Sequence, residues 1–141
     1  MKRKIAVGSV LLILALYLSA CGFQEAKTLL LPKSDKIEKM ELSLHYKDVM
    51  VNKIAINSSP VEFVESLIRD ARPTRRKSVN EQPTNVDRHI SIQLFHSEDL
   101  NNPVVIHLYA NNGDYYLEQP YQGIWKVSEK LYQDITDRFR E

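Results

Sequence analysis

Three stretches of the sequence alternate apolar and polar residues in the way that half-buried β-strands do, and two more, Val49 to Ile56 and Tyr115 to Glu118, follow turn signals. The clearest is formed by Met40, Leu42 and Leu44, whose intervening residues are Glu41 and Ser43. A period of two places every second side chain on one face of a strand. Strands are therefore predicted to begin near residues 37, 49, 90, 104 and 115.

Two further stretches have their apolar residues at helical spacing. The first begins at Pro60, directly after the capping residue Ser59, and ends before Pro73. Proline suits the first position of a helix and stops it elsewhere. The second begins after Ser128, a residue type that favours a helix N-terminus. The apolar stripes of the two predicted helices are Phe63, Val64, Leu67, Ile68 and Ala71 in the first and Leu131, Ile135 and Phe139 in the second.

The resulting element order, β-β-α-β-β-β-α, predicts an α+β fold. Because hairpin connections dominate this order, we expect an antiparallel sheet of about five strands with both helices packed on one face. The strongest turn signal is Asn112-Gly113, since this dipeptide accepts the positive φ angles of a two-residue hairpin.

Strand register predicts which polar side chains meet on the sheet face without a predicted helix. A two-residue turn at Asn112-Gly113 would pair Tyr109 with Tyr116 and His107 with Glu118.

The preceding hairpin is predicted from its apolar residues, with Ile92 opposite Leu108. This register would place Gln93 opposite His107. It would also set His89 about 13 Å along the strand from Gln93, too far for His89 and His107 to share a metal ion.

The first twenty residues have the layout of a secretory signal, with three basic residues before an apolar run from Ile5 to Leu18. The sequence Leu18-Ser19-Ala20-Cys21 resembles the lipobox of bacterial lipoproteins. The resemblance implies cleavage before Cys21 and lipidation of its thiol, and two acyl chains suit a stable anchor. The alternative is an uncleaved signal anchor, and both readings put residues 30–141 on the outer side of the membrane.

We therefore expect a lipoprotein signal peptide at 1–20, a lipidated tether at 21–36 and a single extracytoplasmic domain at 37–141. The apolar residues Leu29-Leu30-Leu31 lie in the tether and either dock on the domain or lie at the bilayer surface.

Composition narrows the possible functions. The first twenty residues contain three of the 19 basic residues and none of the 18 acidic ones, so their removal changes the net charge from +1 to −2. This charge argues against a nucleic-acid binder. No second apolar stretch approaches the roughly 18 residues that a membrane span needs. Since Cys21 is the only cysteine, the exported domain has no disulfide.

Candidate catalytic chemistry is confined to His107 and Glu118. A histidine beside a carboxylate is half of an acid–base system, but no serine or cysteine nucleophile motif accompanies it. The alternative is an ordinary cross-strand polar pair. The sequence lacks HExxH, a cysteine pair, a close acidic cluster and a glycine-rich phosphate loop, so we expect neither a metal nor a cofactor.

The stretch from Arg72 to Arg88 has no periodicity and holds a dense cluster of basic residues. A loop of this length is either functional or mobile in so small a domain. It could meet an anionic lipid, an anionic polymer or an acidic partner, or simply be solvated. Together with the sheet tyrosines it gives the candidate partner-binding residues Arg75, Arg76, Lys77, Asn80, Tyr109 and Tyr116.

The segment from Asn112 to Trp125 is similar to the closing part of a domain of unknown function in small Gram-positive lipoproteins. It also resembles extracytoplasmic segments of membrane metallopeptidase sensors of the beta-lactam-receptor type. The matching features are the Asn-Gly turn, Tyr115-Tyr116, Pro120-Tyr121-x-Gly123-Ile124 and a helix that begins near Ser128. Trp125 departs from the pattern, where a smaller aromatic is expected, and the peptidase motif is absent.

These observations favour a membrane-anchored extracytoplasmic lipoprotein that binds or senses a protein or cell-wall component without catalysis. The alternative is a small hydrolase or ligand carrier that uses His107 and Glu118. A deep pocket reaching His107 would favour this alternative.

Overall fold

The computed structural model describes residues 27–56 and 60–140. A 3-10 turn at Ser34–Lys36 leads into the first strand. The strands are β1 Ile37–Tyr46, β2 Val49–Ile56, β3 Arg72–Pro73, β4 Arg88–His96, β5 Asp99–Asn111, β6 Asp114–Gln119 and β7 Gly123–Val127. The helices are α1 Pro60–Asp70 and α2 Glu129–Asp137. The expected signal peptide and Cys21 lie outside the described residues.

Within these residues the seven strands form one antiparallel sheet in the order β2-β1-β4-β5-β6-β7-β3. The long strand β2 forms one edge of this sheet, and the two-residue strand β3 forms the other. The predicted α+β class is confirmed. The expectation of about five strands was too low, because β3 and β7 were not foreseen.

One face of the sheet, which we call the helix face, carries the core. Alternate residues of β1, β4, β5 and β6 are fully buried there, among them Leu42, Ile92, Leu108 and Leu117. Helix α1 adds Phe63, Val64 and Leu67, and α2 adds Leu131 and Ile135. Burying such side chains contributes roughly 1.5–3 kcal/mol each. Both helices therefore lie on the same face, as predicted.

The ends of the helices follow their sequence signals. The backbone N–H of Leu131 donates to the Oγ of Ser128 at 3.2 Å, so Ser128 is the N-cap of α2 as predicted. Helix α1 begins at Pro60, whereas its expected cap Ser59 lies outside the described residues. Ile68 was expected on the buried stripe, but it is exposed.

The residues before β1 are held on the helix face. The backbone N–H of Leu30 donates to Oε1 of Gln119, whose Nε2 donates to the Leu30 carbonyl, both at 2.8 Å. The indole N–H of Trp125 donates to the carbonyl of Lys27 at 2.9 Å.

Leu29 and Leu31 pack against the core from this segment. The docking alternative for residues 29–31 is therefore the one that the structure shows. The described part of the expected tether, residues 27–36, therefore packs on the domain in its Lys27–Leu31 portion. Burial of the indole and the leucines gives the reason.

Strand β5 takes part in two hairpins, and the sequence predicted the strand register of one of them but not of the other. Strands β5 and β6 pair as expected, with Tyr109 opposite Tyr116 and His107 opposite Glu118. Asn112 and Gly113 both have positive φ, at 52° and 81°, as a type I′ turn requires.

The predicted register of β4 and β5 is wrong by two residues. Ile92 lies opposite Ile106, and Ser91, not Gln93, lies opposite His107. An irregularity between Leu94 and His96 shifts the pairing near the turn. A shift of two residues keeps every side chain on its own face, so the apolar pattern could not exclude it.

Candidate binding site on the outer sheet face

The face opposite the helices, the outer face, is partly covered by the residues between β3 and β4. We call residues 74–87 the outer-face loop. The N–H of Thr74 donates to the carbonyl of Ile124 on β7 at 3.0 Å, and the N–H of Lys47 donates to the carbonyl of Asp87 at 2.7 Å. The loop therefore crosses the sheet from β7 to the β1–β2 turn.

Three contacts hold the middle of the outer-face loop, and one of them is a hydrogen bond that the backbone N–H of Tyr121 donates to the Oγ of Ser78 at 3.3 Å. The guanidinium of Arg76 lies 5.1 Å from the ring centre of Tyr116. The Nε2 of His107 is 2.8 Å from the carbonyl oxygen of Glu81. Because a carbonyl can only accept, this nitrogen donates. A hydrogen bond from the His107 imidazole therefore holds the outer-face loop against β5.

Four aromatic rings form a row across the outer face. His45, His89, Tyr109 and Tyr116 occupy neighbouring positions on β1, β4, β5 and β6. The rings of His45 and His89 stack with centres 4.7 Å apart, and those of Tyr109 and Tyr116 lie 5.7 Å apart. We call this set the aromatic row.

A second row of polar side chains runs beside the aromatic row. It consists of Lys53, Ser43, Ser91, His107 and Glu118, one from each of five adjacent strands. The hydroxyl of Ser91 is 3.0 Å from Nδ1 of His107. Since Nε2 donates to Glu81, the neutral ring accepts at Nδ1 and the Ser91 hydroxyl donates.

The histidines of the two rows are kept uncharged. Burial lowers the pKa of His107 to about 4, and the nearby His45 adds to this effect. Burial also lowers the pKa of His89 to about 4, with further contributions from His107 and His45. His89 and His107 meet edge to face, with ring centres 5.2 Å apart. The predicted separation of His89 from His107 was therefore wrong, because it followed from the wrong register.

Glu118 does not pair with His107, although the two are directly opposite. The hydroxyl of Tyr109 instead donates to Oε2 of Glu118 at 3.1 Å. Burial raises the pKa of Tyr109, and the adjacent carboxylate adds to the shift. The His107–Glu118 pair that the hydrolase alternative requires is therefore not formed. Ser91 pairs with His107 instead, and Tyr109 pairs with Glu118.

The candidate partner-binding residues are brought to one region, but they differ in exposure. Arg75, Arg76, Lys77 and Asn80 are exposed on the outer-face loop. Tyr116 is half-buried beneath Arg76. Tyr109 is only 2% exposed. The expectation that both tyrosines lie on an open face is corrected for Tyr109, since the row and the loop enclose it.

Beside the outer-face loop, an open groove of about 730 Å³ crosses the sheet. We call it the outer-face groove. Ser43, Ser91, Gln93 and Val105 lie along it. Its other lining residues include His45, Met50, Lys53, Glu81, Gln82, Val104, His107 and Gln122.

The groove residues were mostly missed by sequence reasoning, although one signal was available. Ser43, His45, His89 and Ser91 all stand at the polar positions of alternating strands, which place them on the face opposite the core. Glu81 lies in a loop without periodicity, and nothing in the sequence connects it to His107.

The imidazole contacts do not form a metal site. In residues 27–56 and 60–140, no group of three or more histidine, cysteine, aspartate or glutamate side chains could hold a metal ion. Stacked rings such as those of His45 and His89 direct their nitrogens along parallel planes. Both ring nitrogens of His107 already have protein partners.

The Ser91–His107 pair resembles a nucleophile held by a base, but the backbone N–H groups beside Ser91 are engaged in strand pairing. Strand β4 lies between β1 and β5 in the described sheet, so the backbone N–H groups near Ser91 point at neighbouring strands. Acyl transfer needs such donors free to stabilise developing negative charge. The same residues are well suited to hydrogen-bonding a ligand.

The fold and site together define a two-layer α+β domain with a polar groove on its open face. A family model described as "Domain of unknown function (DUF5300)" matches residues 25–126, and the chain belongs to this family. The expected membership of a family of unknown function is thereby confirmed.

The chain is also similar to a solved structure, described as the NMR structure of the protein from Ruminococcus gnavus. The two are 19% identical, the match covers 74% of this chain and 98% of the other, and the TM-score is 0.53. At this identity the likeness concerns the fold alone. No curated protein matches the sequence. Among the described residues, no helix is long and apolar enough to cross a membrane.

Proposed function

We propose that this protein is a lipid-anchored extracytoplasmic module that binds its ligand without catalysis. The observation that carries the proposal is the outer-face groove, which lies over the polar row and beside a loop latched to the sheet. Ligand sites are typically concave and combine apolar lining with a few placed polar groups. The groove has this composition, with Val104 and Val105 beside Ser91 and Gln93.

The surroundings of Ser91 and His107 support a non-catalytic role. The imidazole nitrogens are occupied by Ser91 and the Glu81 carbonyl, and its pKa of about 4 makes it a weak base. If the protein were instead a small hydrolase, the contact between Ser91 and His107 would make Ser91 its nucleophile. This alternative predicts that Ser91→Ala abolishes turnover of an activated ester, whereas a binding module has no turnover to lose.

The lipid anchor is proposed from Leu18-Ser19-Ala20-Cys21 and the preceding signal-like sequence. The resemblance of residues 112–125 to lipoprotein domains and to extracytoplasmic sensor segments supports the same location. Cys21→Ala should abolish lipid labelling and leave unprocessed precursor in the membrane. Lipid labelling that persists in this variant would exclude the anchor.

Site-specific photo-crosslinking on intact cells tests the binding role. A photoreactive residue in place of Val105, inside the groove, should give an adduct with the full-length protein. The matched control replaces the exposed Glu98, in the β4–β5 turn. Ser91→Trp, which fills the groove, should abolish the Val105 adduct. Equal adducts from both positions, or none from Val105, would overturn the proposal.

A further inference from the structure

The shape of the outer-face groove suits an extended chain. Its lining comes from β2, β1, β4 and β5 and from the turn after β6. Strands in a sheet lie about 4.8 Å apart, so a path across these five positions is about 19 Å long. An extended peptide rises about 3.3 Å per residue, and about six residues therefore match this length.

The lining groups match the chemistry of a peptide backbone. Ser43 and Ser91 present hydroxyls, and Gln93 and Gln122 present carboxamides. Ser43, Gln93 and Gln122 can both donate and accept, as the alternating N–H and C=O groups of a peptide require, and Ser91, whose proton is donated to His107, can accept. The apolar side chains beside them, including Val105, can receive the alternate side chains of an extended chain.

The charges of the groove favour a basic ligand over an acidic one. Lys53 lies 2.7 Å from the carboxylate of Glu41, which Lys39 also contacts at 2.6 Å, so the charge of Lys53 is offset only in part. Burial lowers the pKa of both His45 and His107, so these rings add no positive charge at neutral pH. Glu81 is exposed at the groove, and no cation lies within 4.0 Å of its carboxylate among the described residues.

We propose that the outer-face groove binds an extended peptide segment of about six residues that places a basic group beside Glu81. This inference rests on the proposed function and names its ligand class. The polar row bonds the peptide backbone, Val105 receives a small apolar side chain, and Glu81 selects for a lysine or a free amino group. An anionic polymer is disfavoured by the same carboxylate.

Binding of peptide mixtures to the purified full-length protein in detergent tests this inference. The probes are capped hexapeptides with Lys or Glu fixed at the third position and with Ala, Val, Ser and Gln mixed at the other five. A tetramer of N-acetylglucosamine is the comparison ligand. The Lys mixture should bind about fivefold or more tightly than the Glu mixture, as expected for a partly exposed ion pair.

Variants then locate the binding. Glu81→Gln should remove the preference for Lys, and the matched control Glu98→Gln should keep it. Ser91→Trp should abolish binding of both mixtures, with an unchanged circular dichroism spectrum showing that the variant is folded.

The outcomes separate the inference from the proposed function. Binding of the tetrasaccharide alone, abolished by Ser91→Trp, would overturn the peptide assignment and leave the groove a binding site. Equal binding of the two mixtures, no binding of either, or peptide binding that survives Ser91→Trp would also overturn it. The cell-surface adduct from Val105 reports on the proposed function independently of these results.

Discussion

The two faces of the sheet are closed by different physical means. The helix face is covered by α1, α2 and residues 27–31, and its contacts are mainly apolar. The outer face is covered by a loop held through single hydrogen bonds and one stacked guanidinium. Apolar burial is non-directional and additive, whereas each polar latch depends on one donor and one acceptor. The helix face therefore contributes most of the folding stability, and the contacts that hold the outer-face loop are the easier ones to change.

The largest expected effect is on the helix face. Leu108 is fully buried and Val105, on the same strand, is half-buried in the groove. Leu108→Ala should lower the free energy of unfolding by about 3 kcal/mol, because it leaves a cavity in the core. Val105→Ala should cost less than about 1 kcal/mol. Urea denaturation of both variants checks this contrast, and similar losses would mean that both faces carry the core.

Acid should weaken the outer face next. His89 and His107 have folded pKa values of about 4, against an ordinary value of 6.5. Their contribution to stability is fully present above pH 6.5 and is lost as the pH falls toward 4, since the unfolded chain then binds more protons. We expect a loss on the order of 2 kcal/mol for each histidine between pH 7 and pH 5.

Thermal unfolding at several pH values measures this loss. His89 is the informative position, because its buried Nε2 has no hydrogen-bond partner among the described residues. His89→Phe should flatten the profile between pH 7 and pH 5, whereas replacing the less buried His96 should not. An unchanged slope in His89→Phe would show that other groups control the acid response.

A smaller effect is expected where the N-terminal segment joins the helix face. Trp125→Phe keeps most of the buried ring but removes the donor to the Lys27 carbonyl. The loss should be about 1 kcal/mol. Limited proteolysis should then cut near Lys27 faster than in the unaltered protein. Equal cleavage rates would mean that the Gln119 hydrogen bonds and the packing of Leu29 and Leu31 suffice to hold the segment.

The smallest effect should come from the outer-face loop. Arg76→Ala removes the contact with the Tyr116 ring and should cost about 0.5–1 kcal/mol or less. Amide hydrogen exchange should nevertheless quicken in residues 74–87 and stay unchanged in β5. Arg75→Ala, on the neighbouring exposed residue, is the control. Equal exchange in the two variants would mean that the Arg76–Tyr116 contact does not hold the outer-face loop and that the hydrogen bond from His107 does.

The helix face was largely predictable from sequence, and the outer face was not. The period-two pattern of β1 and the Asn112-Gly113 turn are local signals, and both gave the observed structure. The pairing of Ser91 with His107 depends on a turn at Ser97-Glu98 that carries no glycine. Strand β7 was missed because it begins at Gly123, three residues after Pro120, and both residue types indicate a break.

The turn before β7 shows how the chain can reverse after Pro120 and still form a strand from Gly123 onward. Glycine is the residue type that most readily adopts a left-handed conformation, but in this turn Tyr121 adopts it, with φ of 60°. The strand can therefore resume at Gly123, where a Cβ would meet the Trp125 ring at 3.2 Å. Close approach to an aromatic ring, not backbone freedom, is what this glycine supplies.

The unequal edges of the sheet bear on how the protein behaves in concentrated solution. The edge at β3 is two residues long and offers little to an incoming strand. The edge at β2 is eight residues long, and Val49, Met50 and Val51 are each more than half exposed along it. Such an edge is a template for aggregation. We expect overexpressed protein to precipitate through β2, and a lysine in place of Val51 to raise its solubility.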